Sequence, residues 1–245
     1  MHFSAPTGTH RCLRARVLGA VALVAVVLPL AVFGAPASAG TVTAAAVIKE
    51  AKAAIATQSS AHLEFDADST SSSSTEQIVA DVGAGAGTET VTDGTALLHV
   101  TVTPQDGYIS GSASGLTSLF GMTSAEATKV GKRWEFWKKG TKQYKNLESV
   151  VSVKSLASLL PKSKGTTLST QGSDYVLTWT SAASGSTPKL KNTLTIAKGT
   201  NLPVEETSTD ASGEKVTTTI SKWGEAVAVH APPAGSAVAA SKITG

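Results

Sequence analysis

Two long stretches of this chain alternate apolar and polar side chains with a period of two, and helical periodicity is confined to the start of the chain and to the junction between them. Strands that follow one another through short turns pair antiparallel. Helices grouped between two such meanders have one place to go, the face of the sheet they form. The order therefore predicts an α+β fold, with helices packed on one face of an antiparallel sheet. Many strands carry threonine on one side and Leu, Val or Ile on the other, as a sheet wet on one face requires.

The first helix is read over Thr43 to Ser59, with Val47, Ile48, Ala51 and Ile55 as its apolar stripe. Strands follow at His62 to Asp68 and Gln77 to Val82, separated by a serine-threonine loop from Ser69 to Thr75. Asp93-Gly94 and Asp106-Gly107 read as hairpin turns around the alternating run of Leu98, Val100 and Val102. Leu116, Leu119 and Phe120 share a face in a short helix, and Thr123 with Glu126 has capping-box spacing at the start of another. After Pro161 the chain reads almost wholly as strand: Asp174 to Thr180, Lys189 to Ala197, Pro203 to Thr209, Lys215 to Ser221 and a closing strand from Ala226 to His230. Asp210 to Gly213 is the turn within the third of these junctions, and Ala234 to Gly245 reads as a flexible tail or at most an edge segment.

The junction itself, Gly131 to Pro161, carries the most distinctive surface. In its strand, Trp134 and Phe136 fall on one face and Arg133, Glu135 and Trp137 on the other. Lys138, Lys139, Lys142 and Lys145 come next, and helical spacing begins after Asn146, with Leu147, Val150 and Val151, then Val153, Leu156, Ala157 and Leu160. Ser152 is placed to cap the second helical part and Pro161 to end it.

The first 39 residues carry the pattern of a signal peptide: Arg11, Arg14 and Arg16, an apolar run from Val17 to Phe33, and the small-x-small site Ala37-Ser38-Ala39. Cleavage there leaves Gly40 as the first residue and 40–233 as one domain, secreted or held in the cell envelope. The rival is a retained transmembrane anchor, for which the run of seventeen residues, roughly 26 Å as a helix, is a little short. Cys12, the sole cysteine, precedes the apolar run, so neither a disulfide nor thiolate chemistry is expected after cleavage. Removing the three arginines leaves 18 basic and 18 acidic residues, so the formal charge of +3 belongs to the leader. The balance conceals a division. Gly40 to Thr128 holds two lysines and ten acids, whereas Lys129 to Lys164 holds ten basic residues and two acids. Neutralisation across the sheet accounts for this most simply, and a cationic patch for anionic headgroups or wall polymer is the rival.

No catalytic pattern in the chain holds together. Gly83 to Thr88 lacks the last glycine of a dinucleotide loop, and no Walker loop, zincin motif or nucleophile elbow is present. Ser212 and Lys215 match S-x-x-K, but in a hairpin turn without partner motifs. His62, His99 and His230 are far apart in the chain and fit strand positions better than metal ligands. No enzyme activity, metal, cofactor or nucleic-acid partner is therefore expected.

Several short motifs resemble the extracytoplasmic lipoprotein-carrier superfamily, the LolA/LolB-like proteins and the actinobacterial LppX/LprG-type lipid-binding lipoproteins. They are the leader followed by a helix ending near Ser59-Ser60-Ala61-His62, then Val130-Gly131-Lys132-Arg133-Trp134, then Leu156 to Pro161, and finally Trp223-Gly224-Glu225 with Ala231-Pro232-Pro233. The resemblance spans most of Thr43 to Pro233. It implies a strongly curved antiparallel half-barrel with helices in its concave face, and a non-enzymatic, monomeric carrier whose partner is a lipid, glycolipid or lipidated molecule. On that expectation Leu116, Leu119, Phe120, Trp134, Phe136, Leu156 and Leu160 line an apolar cavity, and Lys132, Arg133, Lys138, Lys139 and Lys142 meet headgroups or a membrane surface. The alternative is an envelope sensor or wall-associated module whose core is filled by its own side chains. The lipoprotein members begin their mature chain with cysteine. Gly40 stands here instead, so anchoring by that route is not expected.

Overall fold

The computed structural model describes residues 42–68, 76–182 and 189–243. The leader with its cleavage site and the serine-threonine loop lie outside them. Helix α1 (Ala44–Ala56) starts where the Thr43 side chain accepts from the Ala46 N–H at 3.2 Å, and its alanines supply helix propensity. Val47, Ala51 and Ile55 form its buried stripe, with Ile48 at the margin.

Strands β1 (Ser60–Asp68), β2 (Glu76–Gly83), β3 (Gly87–Asp93), β4 (Ala96–Val102), β5 (Asp106–Gly111) and β6 (Trp134–Lys138) make the first meander. Strands β7 (Thr167–Gln171), β8 (Asp174–Ser181), β9 (Leu190–Ala197), β10 (Leu202–Thr209) and β11 (Lys215–Ser221) make the second. Among the described residues they join a short β12 (Ala237–Ala239) in one 12-stranded sheet of order β12-β6-β5-β4-β3-β2-β1-β11-β10-β9-β8-β7. Every pairing is antiparallel except that of β12 with β6. The sheet is not closed, since β12 and β7 are its two edges. The fold is thus the α+β half-barrel, with the β1–β11 ladder joining its two halves.

Three turns and caps differ from expectation in instructive ways. Asp106-Gly107 is not a turn centre: Asp106 opens β5, its carbonyl accepts from the Thr103 N–H at 2.8 Å, and Pro104-Gln105 form the bend. Helix α3 (Lys142–Val150) starts five residues before its apolar spacing does, because Thr141 accepts from the Tyr144 N–H at 3.2 Å and caps it. Ser152 makes no side-chain cap, and Val153–Leu159 is a tight 3-10 segment. By contrast the capping box of α2 (Ser124–Val130) forms as its spacing requires, with Thr123 and Glu126 bonding reciprocally.

The expected closing strand at Ala226 to His230 is irregular chain. The reason is topological. Both ladders of β1 are already occupied, by β2 and β11, and β11 is held between β1 and β10. A further strand directly after Trp223 would find no free edge beside β11. Trp223 instead donates its indole N–H to the Pro203 carbonyl at 2.9 Å, and the chain runs on to the free edge of β6, where Ala237–Ala239 pairs in parallel. Part of the segment read as a tail, or at most an edge segment, is therefore one of the sheet's two edge strands.

The helices cover one face, and the core beneath them forms three apolar clusters. The first gathers Leu98, Val100, Val102, Ile109, Leu116, Ala127, Val130, Tyr144 and Leu147 under α2, α3 and the π-type turn Gly115–Leu119. The second gathers Ile55, Ala61, Val82, Val153, Leu156 and Ile220, and the third Val47, Ala51, Leu177, Leu194 and Ile196 under α1.

Candidate lipid-binding face

Cross-strand partners share a face of the sheet, so the inner face can be traced strand by strand. One lateral row runs Leu98, Val91, Ile78, Phe65, Thr218, Glu206, Leu194, Leu177 and Leu168. Towards its ends, Leu98 and Val91 are 5% and 2% exposed, and Leu194 and Leu177 are both 0% exposed. Its middle is different. Ile78, Phe65, Thr218 and Glu206 are half-buried, and so is Leu63 in the adjoining row. Ile78 packs on the first cluster and Leu63 on the second, whereas Phe65 belongs to none of the three clusters formed by described residues. The inner face thus carries a partly exposed apolar trough on β1 and β2, bordered by Glu206 on β10 and by Glu89, half-buried on the same face of β3.

The residues expected to line a cavity are distributed rather than gathered. Leu116 is fully buried in the first cluster, with Leu119 and Phe120 at its half-exposed margin beside Met122 and Trp137. Phe120 and Trp137 rings lie 5.7 Å apart. Leu156 is buried in the second cluster, and Leu160 lies between the second and third. Trp134 and Phe136 are on the opposite, outer face. Trp134 stands 6.3 Å from the His99 ring, Phe136 lies 6.0 Å from Tyr108, and the Lys138 ammonium sits 5.3 Å over Phe136. Their strand turns Glu135 and Trp137 inwards, because those two oppose Ile109 and Gly107 in the first cluster's wall. Alternation places Trp134 with Phe136, but β6 has aromatic side chains on both faces, so hydropathy does not say which face is inside. Phe65 and Ile78 show as inner-face residues by alternation alone; what the sequence lacks is any sign that helices leave them uncovered.

The cationic residues also separate. Lys132 and Arg133 precede β6, Lys138 ends it about 16 Å further along the extended chain, and Lys139 and Lys142 follow. All five are exposed. The Arg133 guanidinium bonds to the carbonyls of Lys129 and Val130, and Lys138 pairs with Asp106 at 3.0 Å.

None of the described histidines sits in a ligand cluster. His62 bonds to Asp81 at 2.7 Å and to Glu64 at 3.2 Å on the outer face, and His99 bonds to Thr90. Ser212 donates its hydroxyl to Asp210 at 2.6 Å and shapes the turn, and the same bond holds the Asp210 carboxyl below its ordinary range. Among the described residues no helix is long and apolar enough to cross a membrane.

No protein-family model matches the chain, and no curated protein matches it. Among solved structures it is similar to LprF from Mycobacterium bovis, at 15% identity over 77% of this chain and 96% of that one, with a TM-score of 0.45. It is similar to the lipoprotein LppX from Mycobacterium tuberculosis, at 20% identity over 76% and 98% of the two chains, also with a TM-score of 0.45. A LolA superfamily protein from Nitrosomonas europaea is similar at 10% identity over 77% and 96%, with a TM-score of 0.30.

Proposed function

We propose that this chain is an exported, non-enzymatic lipid or glycolipid carrier of the cell envelope, which holds acyl chains along the inner face of its half-barrel. The leader ending at Ala39 is removed, and the mature protein is a monomer beginning at Gly40. The observation that carries this reading is the trough of Leu63, Phe65 and Ile78. Apolar side chains left half-exposed on the inner face of an open sheet, between packed clusters, suit a long hydrocarbon partner. Leu119, Phe120, Met122 and Leu160, half-buried at the cluster margins, would extend the contact. A second reading, an interaction module with a self-filled core, is favoured by the complete burial of Leu116 and the near-complete burial of Leu156.

Binding of a fluorescent fatty acid to delipidated mature protein separates the two. The parent is expected to bind saturably, and Phe65→Ala about tenfold more weakly, equivalent to ~1.4 kcal/mol. Leu119→Ala and Leu160→Ala should also weaken binding, each with a stability loss below about 1.5 kcal/mol, because half-buried side chains leave little void. No saturable binding by the parent would leave the interaction module as the reading.

The basic residues are tested on anionic vesicles. Lys139→Gln and Lys142→Gln should each weaken binding by roughly 1 kcal/mol if they contact the surface, and Lys138→Gln by less, since Lys138 already pairs with Asp106. Sedimentation with phosphatidylglycerol vesicles reads this directly. Equal binding by all variants would return these lysines to a merely solvated surface.

A further inference from the structure

The edge strand β12 closes over an unusual group. Glu135 points inwards from β6 and is 1% exposed, and its Oε2 has no hydrogen-bond partner among the described residues. Its neighbours across the strands are Ile109 on β5 and Val238 on β12. Val238 and Ile243 from the C-terminal segment pack into the same cluster as Ala127 and Val130 of α2. The carboxyl is therefore roofed by α2 and by the segment Ser236–Ile243. Among the bonds that hold this segment are the three-residue ladder of β12, the Trp134 N–H to Ser236 carbonyl bond at 2.9 Å, and the Lys129 ammonium on the Ile243 carbonyl at 2.8 Å.

The charged groups on the surrounding elements do not neutralise it. From α2, Glu126 is like-charged and held in its capping box, and the Lys129 ammonium bonds to the Ile243 carbonyl. Arg133 is turned back to the carbonyls of Lys129 and Val130. Glu148 of α3 is a second acid, Lys242 on the C-terminal turn is exposed, and the facing residues of β5 and β12 are uncharged. An ionised carboxylate shut in such a place lacks both water and a cation.

We propose that the segment Ser236–Ile243 is a proton-operated latch, closed on β6 while Glu135 is protonated and released when Glu135 ionises, uncovering the first apolar cluster. Burial above all, and then the Glu126 charge, push the Glu135 carboxyl up to about 7. The sign follows from linkage. An acid whose folded-state value is raised above that of the unfolded chain stabilises the closed form fully at low pH and loses that contribution as pH rises towards and through 7. The latch therefore opens on the alkaline side. It does so whether or not the inner face takes a lipid.

Hydrogen exchange followed by mass spectrometry on the full mature protein, corrected for intrinsic exchange, tests this between pH 5.5 and 8.5. Protection of the amides at 237–243 should fall about tenfold per pH unit as pH rises towards 7 and level off above it, the levelling point being the midpoint, while peptides from β9 keep theirs. In Glu135→Gln the segment should stay protected across the range. Uniform protection in the parent, or the same pH profile in Glu135→Gln, overturns the latch. Should Glu135→Gln fail to fold, Glu126→Gln decides. Glutamine preserves the capping box and removes the neighbouring charge, so the midpoint should move to lower pH, and an unmoved midpoint overturns the proposal.

Discussion

Gly115→Ala is expected to destabilise the protein by more than about 3 kcal/mol, or to prevent folding, which urea unfolding will measure. A Cβ at this position would lie 2.0 Å from the Leu97 carbonyl oxygen, 2.6 Å from its carbon and 2.9 Å from its nitrogen. All three are backbone atoms of β4, so no rotamer change relieves the overlap. The same carbonyl accepts from the Ser112 N–H at 2.9 Å, while the Ser112 hydroxyl oxygen accepts from the N–H groups of Leu97 and Gly115, each at 3.0 Å. Pushing the π-type turn away would break this knot and lift Leu116 out of the first cluster. Gly85 is the control. A Cβ there meets nothing within 4 Å, and Gly85→Ala should stay within about 0.5 kcal/mol of the parent. An unchanged unfolding midpoint for Gly115→Ala would mean that the turn does not approach β4 as described.

Leu194→Ala should cost about 2–5 kcal/mol, the range for a fully buried leucine whose site cannot collapse. Leu194 is 0% exposed, faces Leu177 across the β8–β9 ladder and is capped by Val47 and Ala51 of α1. A strand backbone held on both sides cannot close around the void. Paired with Leu119→Ala in the same unfolding experiment, this contrast locates packing and binding surface separately. A large loss at Leu194 with a small one at Leu119 is the pattern of a carrier with a rigid half and an open margin. A loss below about 1 kcal/mol at Leu194 would show that the half beneath α1 is itself loosely packed.

Much of the site lay outside what residue patterns can reveal. Phe65 reads in the sequence as one more inward strand residue, alike in kind to Leu63 and Ala67. Its distinction is that the helices over Leu98 and Leu194 do not extend to it, which depends on where α1, α2 and α3 pack on the sheet. Glu135 reads as the polar member of an alternating strand and so as an outward residue. It is buried because β6 has Trp137 beside it and aromatic side chains on its other face as well, and because α2 and β12 close from above.

Local chemistry was sufficient wherever a bond is made within a few residues. The stripe of α1, the Thr123–Glu126 capping box, the Asp210 to Gly213 turn and the two runs of hairpin-linked strands need no distant partner, and alternation with period two is enough to make an antiparallel α+β fold. Pairing and facing are another matter, because they depend on which edges remain free and which face is covered. Ala226 to His230 has strand-forming side chains but meets no open ladder, whereas Ala237–Ala239, weaker in propensity, finds the vacant edge of β6. Trp134 and Phe136 had to share a face with each other. That this face is the outer one follows only from the register that sets Glu135 against Ile109, since a strand apolar on both sides offers the hydrophobic effect no preference to act on.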